Sequence, residues 1–253
     1  WLRKPIAGYL RRFHNKAQCT LVPTRSMREE LESHGYLHLR VVPRGVDTRL
    51  FTPARRSDAL RQQWGLQPGQ LAALYVGRLA PEKNLGTVLR AHQAIRASHP
   101  DVKLVLVGDG PERAALQAQC SDAIFAGMQS GKALAEHFAS GDIFLFPSTT
   151  ETFGNVTVEA MASGLPIVAY DYAAAAEFIR NGENGLLAGV AGRLVRHLQA
   201  PGLAVAGLVG QHHAALPQLA RVHLPIAFVQ RARIDLEAIV THARLPSPGL
   251  GRR

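Results

Sequence analysis

From Ala72 to about residue 180 the chain alternates short, nearly unbroken apolar runs with longer helix-like stretches, and few folds accept that rhythm. The runs Ala72-Ala-Leu-Tyr-Val76, Val102-Lys-Leu-Val-Leu-Val107, Ala123-Ile-Phe125, 142–146 and 167–170 have strand length. Helices are expected at 84–99, from Pro111, and at 131–139, 154–163 and 173–180. Strands apolar on both faces, each followed by a crossover helix, pair in parallel and lie buried. The pattern therefore predicts an α/β unit, a parallel sheet covered by helices on both faces. In such a sheet ligands bind beyond the carboxyl ends of the strands. The turns that follow each run are where chemistry is to be sought.

The turn after 142–146 carries the strongest signal, Glu151-Thr-Phe-Gly-Asn-Val-Thr-Val-Glu159. Its first acid sits at a strand end, and its second is expected about two turns into the next helix. The amides of Phe153, Gly154 and Asn155 fall near the helix N-terminus, where partial positive charge and unpaired N–H groups attract phosphate. Glu159 accepts hydrogen bonds only, which suits ribose or sugar hydroxyls. On spacing alone, a Glu151 that favours the helix dipole and a solvated Glu159 explain the run equally well.

A second turn, Gly77-Arg78-Leu-Ala-Pro-Glu82-Lys83-Asn84, places two cations at the end of the 72–76 strand. A guanidinium fork and an ammonium both match phosphate oxygens. Neutralising a diphosphate as it leaves a sugar carbon is the electrostatic task of a transferase with an activated donor. Alone, the turn reads as a solvated basic loop. Beside the Glu151–Glu159 run it reads as half of a site, because both turns belong to the same edge of one sheet. The run Val107-Gly-Asp-Gly110-Pro-Glu-Arg113 begins like a dinucleotide fingerprint but ends in Arg. A tight turn into a helix starting at Pro111 explains it. No Asp-x-Asp pair on a strand end, Walker-type loop or Gly-x-Ser-x-Gly elbow occurs, so metal, ATP hydrolysis and serine hydrolysis are not implied. His212 and His213 are adjacent, face different ways on a helix, and read as a solvated pair.

The formal charge of +10 favours anionic partners and fits peripheral contact with an anionic membrane. Aromatics make up 6% and do not interleave with the basic residues, which argues against nucleic acid. Cys19 and Cys120 read as free thiols in a reducing, cytoplasmic setting. No apolar run approaches the roughly 20 residues of a membrane helix.

Residues 1–45 read as helix, strand (Cys19–Val22), helix (Met27–His34, capped by Thr24 or Ser26) and strand (Leu39–Val42). Residues 46–70 read as a linker with a polar helix at 58–63, and 71–188 as the main unit. From 189 to 253 the chain is atypical: no acid occurs between Glu183 and Asp235, and helices are expected only in parts of 190–200 and 227–243. The chain starts at Trp1 rather than Met, so a fragment or processed product is expected. A shifted reading frame or a truncated gene is the expected origin of such an acid-free tail.

Residues 72–188 resemble the donor-binding domain of family 4 retaining glycosyltransferases, enzymes of the GT-B fold. The resemblance rests on Gly77-Arg78…Lys83-Asn84, Val107-Gly-Asp-Gly-Pro-Glu112, Pro147-Ser148, and Glu151…Glu159 with Ala162-Ser-Gly-Leu-Pro166. Thr152-Phe-Gly-Asn155 and Tyr170-Asp-Tyr-Ala-Ala174 bring it nearest to GDP-mannose-dependent α-mannosyltransferases and sulfoquinovosyl-diacylglycerol synthases. The resemblance implies a C-terminal Rossmann-like domain with residues 1–45 as the remnant of an acceptor-binding N-terminal domain. It implies hexose transfer with retention, without a cofactor or metal, from a GDP- or UDP-linked donor to a lipid or glycan. By motif, Gly77, Arg78 and Lys83 meet the diphosphate, Glu151 the transferred sugar, and Glu159 the ribose. The Phe153, Gly154 and Asn155 amides meet sugar and phosphate, and Gly127 lies at the base pocket. A non-catalytic nucleotide-sugar-binding remnant and a GT-B-type epimerase are the alternatives. Release of free nucleotide only on addition of an acceptor separates transfer from both.

Overall fold

The computed structural model describes residues 3–189. Two parallel β units follow one another. The first comprises α1 (Arg3–Asn15), β1 (Thr20–Val22), α2 (Arg25–Ser33) and β2 (Leu39–Val41), with β1 and β2 paired in parallel. Thr24, not Ser26, caps α2, its hydroxyl accepting from the Met27 amide at 3.2 Å. Helix α1 touches the α2–β2 turn through Arg11 and Asn15, which donate to the carbonyls of His34 and Gly35. Its apolar side chains Ile6, Tyr9, Leu10 and Phe13, at helical spacing, are exposed.

The second unit follows α3 (Asp58–Gln63). Its strands are β3 (Ala72–Val76), β4 (Lys103–Val107), β5 (Ile124–Gly127), β6 (Ile143–Phe146), β7 (Ile167–Tyr170) and β8 (Gly185–Ala188). They are joined by α4 (Leu85–Ser98), α5 (Arg113–Gln119), α6 (Gly131–Ser140), α7 (Asn155–Ala162) and α8 (Ala173–Phe178). All pairings are parallel, in the order β5-β4-β3-β6-β7-β8. The chain enters at β3, builds outward to β5, then returns to β6 on the other side of β3. The β3/β6 boundary is therefore the switch point, where the loops diverge and leave a crevice. Every residue of β3 and β6 is buried, as two-sided coverage requires. The expected α/β class is thus the observed one.

Three local features differ from the sequence reading. Helix α5 starts at Arg113, not Pro111. The preceding glycines are needed for close approach: a Cβ on Gly108 would lie 2.0 Å from the Gly77 carbonyl oxygen, and one on Gly110 2.3 Å from that of Leu79. The loops after β3 and β4 are laced there by Leu79 N–H to Asp109 O and Glu112 N–H to Leu79 O. Helix α7 starts at Asn155 because Gly154 turns into the left-handed region (φ 89°), so Glu159 stands little more than one turn inside it. Strand β8 was not anticipated, although it follows α8 and pairs in parallel with β7, continuing the βαβ rhythm.

The segment before β3 packs into the sheet's core. Phe51, Trp64 and Leu66 are buried with the core residues of the six strands, and the Phe51 ring meets Phe138 edge-on at 5.8 Å. At the amino ends of the strands, Asp142 accepts from Arg56 at 2.9 Å, from Arg61 at 2.8 Å and from the Ala72 amide at 2.7 Å. Arg61 also donates to the carbonyls of Ser140 and Gln70. The expected helices in 190–200 and 227–243, and His212-His213, lie outside the described residues.

Candidate active site

The loops after β3 and β6 meet over the switch point. Lys83 comes from a short helical turn, Pro81–Lys83, that follows the Gly77-Arg78 bend. Its Nζ donates to Glu151 Oε1 at 2.5 Å, and the two side chains are 18% and 19% exposed. Glu151 Oε1 also accepts from Ser148 Oγ at 2.8 Å. The predicted cation and carboxylate, 68 positions apart in sequence, are thus in direct contact.

Arg78 stands differently. Its guanidinium pairs with Glu82 at the surface, with the arginine side chain 65% exposed, and does not reach Glu151. The pairing holds the Glu82 carboxyl below its ordinary value and Arg78 above its own. Beneath the bend, the Tyr75 hydroxyl donates to the Arg78 carbonyl at 3.1 Å. Burial, then the charges of Glu151 and Glu82, push that phenol's pKa up, so it remains a donor.

The Phe153, Gly154 and Asn155 amides find no acceptor among the described residues, and they lie at the N-terminus of α7. This is the arrangement that receives an oxyanion. The Phe153 carbonyl accepts from the Ala174 amide at 2.9 Å, which ties the start of α8 to this loop. Ala173 takes a left-handed conformation (φ 52°) that a residue with a Cβ adopts at a cost. Below Glu151 runs a crevice lined by Phe146, Ser148, Phe153, Thr157, Tyr170 and Tyr172, with a free volume of about 10 Å³, about one water.

Glu159 is half-buried in α7, and among the described residues no group donates to its carboxylate. Burial pushes its pKa up. Gly127 ends β5, two strands from β3, and its carbonyl accepts from the Gly108 amide at 2.8 Å. Lys83 touches Glu151, whose side chain lies beside Gly154 at the start of α7. Gly127 is bonded to Gly108, which lies against the Gly77 carbonyl, and Glu159 follows on α7 itself. Sequence reasoning assigned no role to Ser148, Tyr75 or Tyr170. A serine directly after Pro147 at a strand end was the available signal for the first, the Tyr170-Asp-Tyr-Ala-Ala174 run for the last, and nothing marked Tyr75 within its buried strand.

A parallel sheet that reverses at β3/β6, with polar loops over the reversal, places the chain among Rossmann-like α/β proteins. A family model described as "Glycosyl transferases group 1" matches residues 70–200, and one described as "Glycosyltransferase Family 4" matches residues 1–50. A GDP-mannose-dependent alpha-mannosyltransferase of Corynebacterium glutamicum is 38% identical over 71% of this chain and 42% of its own length. The sulfoquinovosyl transferase of Arabidopsis thaliana is 35% identical over 67% of this chain and 34% of its own. Among solved structures, Anabaena Alr3699/HepE in complex with UDP and glucose superposes with a TM-score of 0.62 at 25% identity, covering 74% of this chain and 53% of that one. The chain belongs to the group 1 glycosyl transferases, and its fold is that of GT-B proteins. It spans less than half the length of the curated relatives it matches first.

Proposed function

We propose that this chain carries the donor half of a retaining glycosyltransferase, which moves a hexose, mannose being the favoured case, from a nucleoside diphosphate to a lipid or glycan. The observation that carries the reading is the Lys83–Glu151 contact beside the three unpaired amides of α7. Lys83, Arg78 and the amides would take the diphosphate, whose negative charge they offset as it leaves the sugar. Glu151 would accept from hydroxyls of the sugar, Glu159 from the ribose, and the β5 end at Gly127 would meet the base. The relatives named as GDP-mannose-dependent mannosyltransferases support GDP-mannose as the first donor to try, and the UDP and glucose named with Anabaena Alr3699/HepE support UDP-glucose as the second.

The test is calorimetric. Lys83→Ala should weaken binding of GDP or UDP by about ten- to a hundred-fold, the range of a lost charge-assisted hydrogen bond. Arg78→Ala should fall at the lower end, because this side chain starts from a solvated surface pair. Unchanged affinity in both variants would remove the site assignment.

Among the described residues no helix is long and apolar enough to cross a membrane. A peripheral contact through α1 fits the exposed stripe of Ile6, Tyr9, Leu10 and Phe13 and the absence of any acid from that helix. Flotation with anionic vesicles should fall on replacing Tyr9 and Phe13 with Ser. Equal flotation of wild type and variant would dismiss the contact, and a rise in solubility without any vesicle binding would assign the stripe to a protein partner.

A further inference from the structure

Ser148 is 4% exposed in the loop just beyond β6, and its hydroxyl is committed to one atom, Glu151 Oε1 at 2.8 Å. Lys83 reaches that same oxygen from the loop after β3, at 2.5 Å. Two donors therefore converge on Oε1, while Oε2 accepts from no group among the described residues. A carboxylate has about four lone-pair sites, so Oε2 retains full capacity for hydroxyl donors.

The two bonds to Oε1 differ in kind. Ser148 and Glu151 are three residues apart in one loop, so their bond moves with that loop. Lys83 belongs to another loop and ends in a compact ammonium with three rotatable donors. An incoming phosphate oxygen competes with Glu151 for those donors. Once Lys83 turns to the diphosphate, Ser148 alone keeps the carboxylate from reorienting.

Resting on the donor-site reading above, we propose that Ser148 is the positioning residue of sugar recognition: it fixes Glu151 through Oε1 so that Oε2 meets a hydroxyl of the transferred sugar. The loss on removing it falls on the sugar and not on the diphosphate, whose ligands are Lys83, Arg78 and the α7 amides.

Calorimetric titration of the full chain with GDP, GDP-mannose, UDP and UDP-glucose tests this, using wild type, Ser148→Ala and Ser148→Thr. In Ser148→Ala, affinity for the bare diphosphates should stay within about twofold of wild type, which also shows the variant folded. The ratio of sugar-nucleotide to nucleotide dissociation constants should rise about five- to tenfold, a partial loss of the sugar's hydrogen bond to a carboxylate that has lost its support. Ser148→Thr, which keeps the hydroxyl, should restore the ratio. An unchanged ratio in Ser148→Ala overturns the proposal, and so does equal weakening of diphosphate and sugar nucleotide, which assigns Ser148 to packing. Wild-type chain that binds none of the four probes removes the donor-site reading instead.

Discussion

The six-stranded sheet carries ion pairs at both ends, and they are built to opposite specifications. At the amino end, Asp142 spends both oxygens on Arg56, Arg61 and the Ala72 amide, and Arg61 has two further carbonyl acceptors. The Arg61 and Asp142 side chains are 9% and 7% exposed. At the carboxyl end, Lys83 and Glu151 are two to three times as exposed, one carboxylate oxygen is unused, and among the described residues three amides lack acceptors. Charge pairs alone do not separate a structural knot from a binding site. Hydrogen-bonding capacity left over after the protein's own contacts does so.

That contrast can be broken by experiment. Asp142→Ala leaves two arginines without their carboxylate at the sheet's base, and should destabilise the unit by about 3–5 kcal/mol in urea unfolding. Gly108→Ala forces the laced loops apart and should cost about 1–3 kcal/mol, because a Cβ there meets backbone that cannot swing away. Lys83→Ala, which breaks the crevice pair, should cost under about 1 kcal/mol of stability while greatly weakening nucleotide binding. If Lys83→Ala were as destabilising as Asp142→Ala, the two ends would be alike and the contrast would fail.

The smallest effect concerns pH. Burial raises the Glu159 carboxyl above 4.5, so the folded state holds this proton more firmly than the unfolded chain. The sign follows: stability from this group is full below 4.5 and is lost as pH rises through the raised value. Glu159→Gln should abolish that decline. On the proposed ribose contact, a hydroxyl donating to the Glu159 carboxylate favours its charged form, so nucleotide binding should release a proton in the same window. Binding heats of wild type should then depend on the buffer, and those of Glu159→Gln should not.

The sheet was legible because burial on both faces leaves a mark in residue type. Strand 72–76 and helix 58–63 fall where their composition places them. The Lys83–Glu151 contact was legible only as an inference from two strand ends sharing an edge. What escaped depends on partners distant in sequence. Nothing local to Asp142 announces that Arg56 and Arg61 come beneath it, 86 and 81 positions away. Arg78 reads as a phosphate ligand, yet the structure ties it to Glu82, its own neighbour four residues on. Ser148 was visible as a motif residue, but the choice of one oxygen over the other exists only in three dimensions.

The Phe51 contact with Phe138 and the arginine grip on Asp142 bear on how this polypeptide can be trimmed. A version beginning at the first strand of the six-stranded sheet would lose the aromatic floor supplied by Phe51 and Trp64, and would strand Asp142 with a lone amide for company. Any minimal piece meant for crystallisation or binding studies should start upstream of Phe51. Cuts placed later should yield insoluble material however well the crevice residues are preserved.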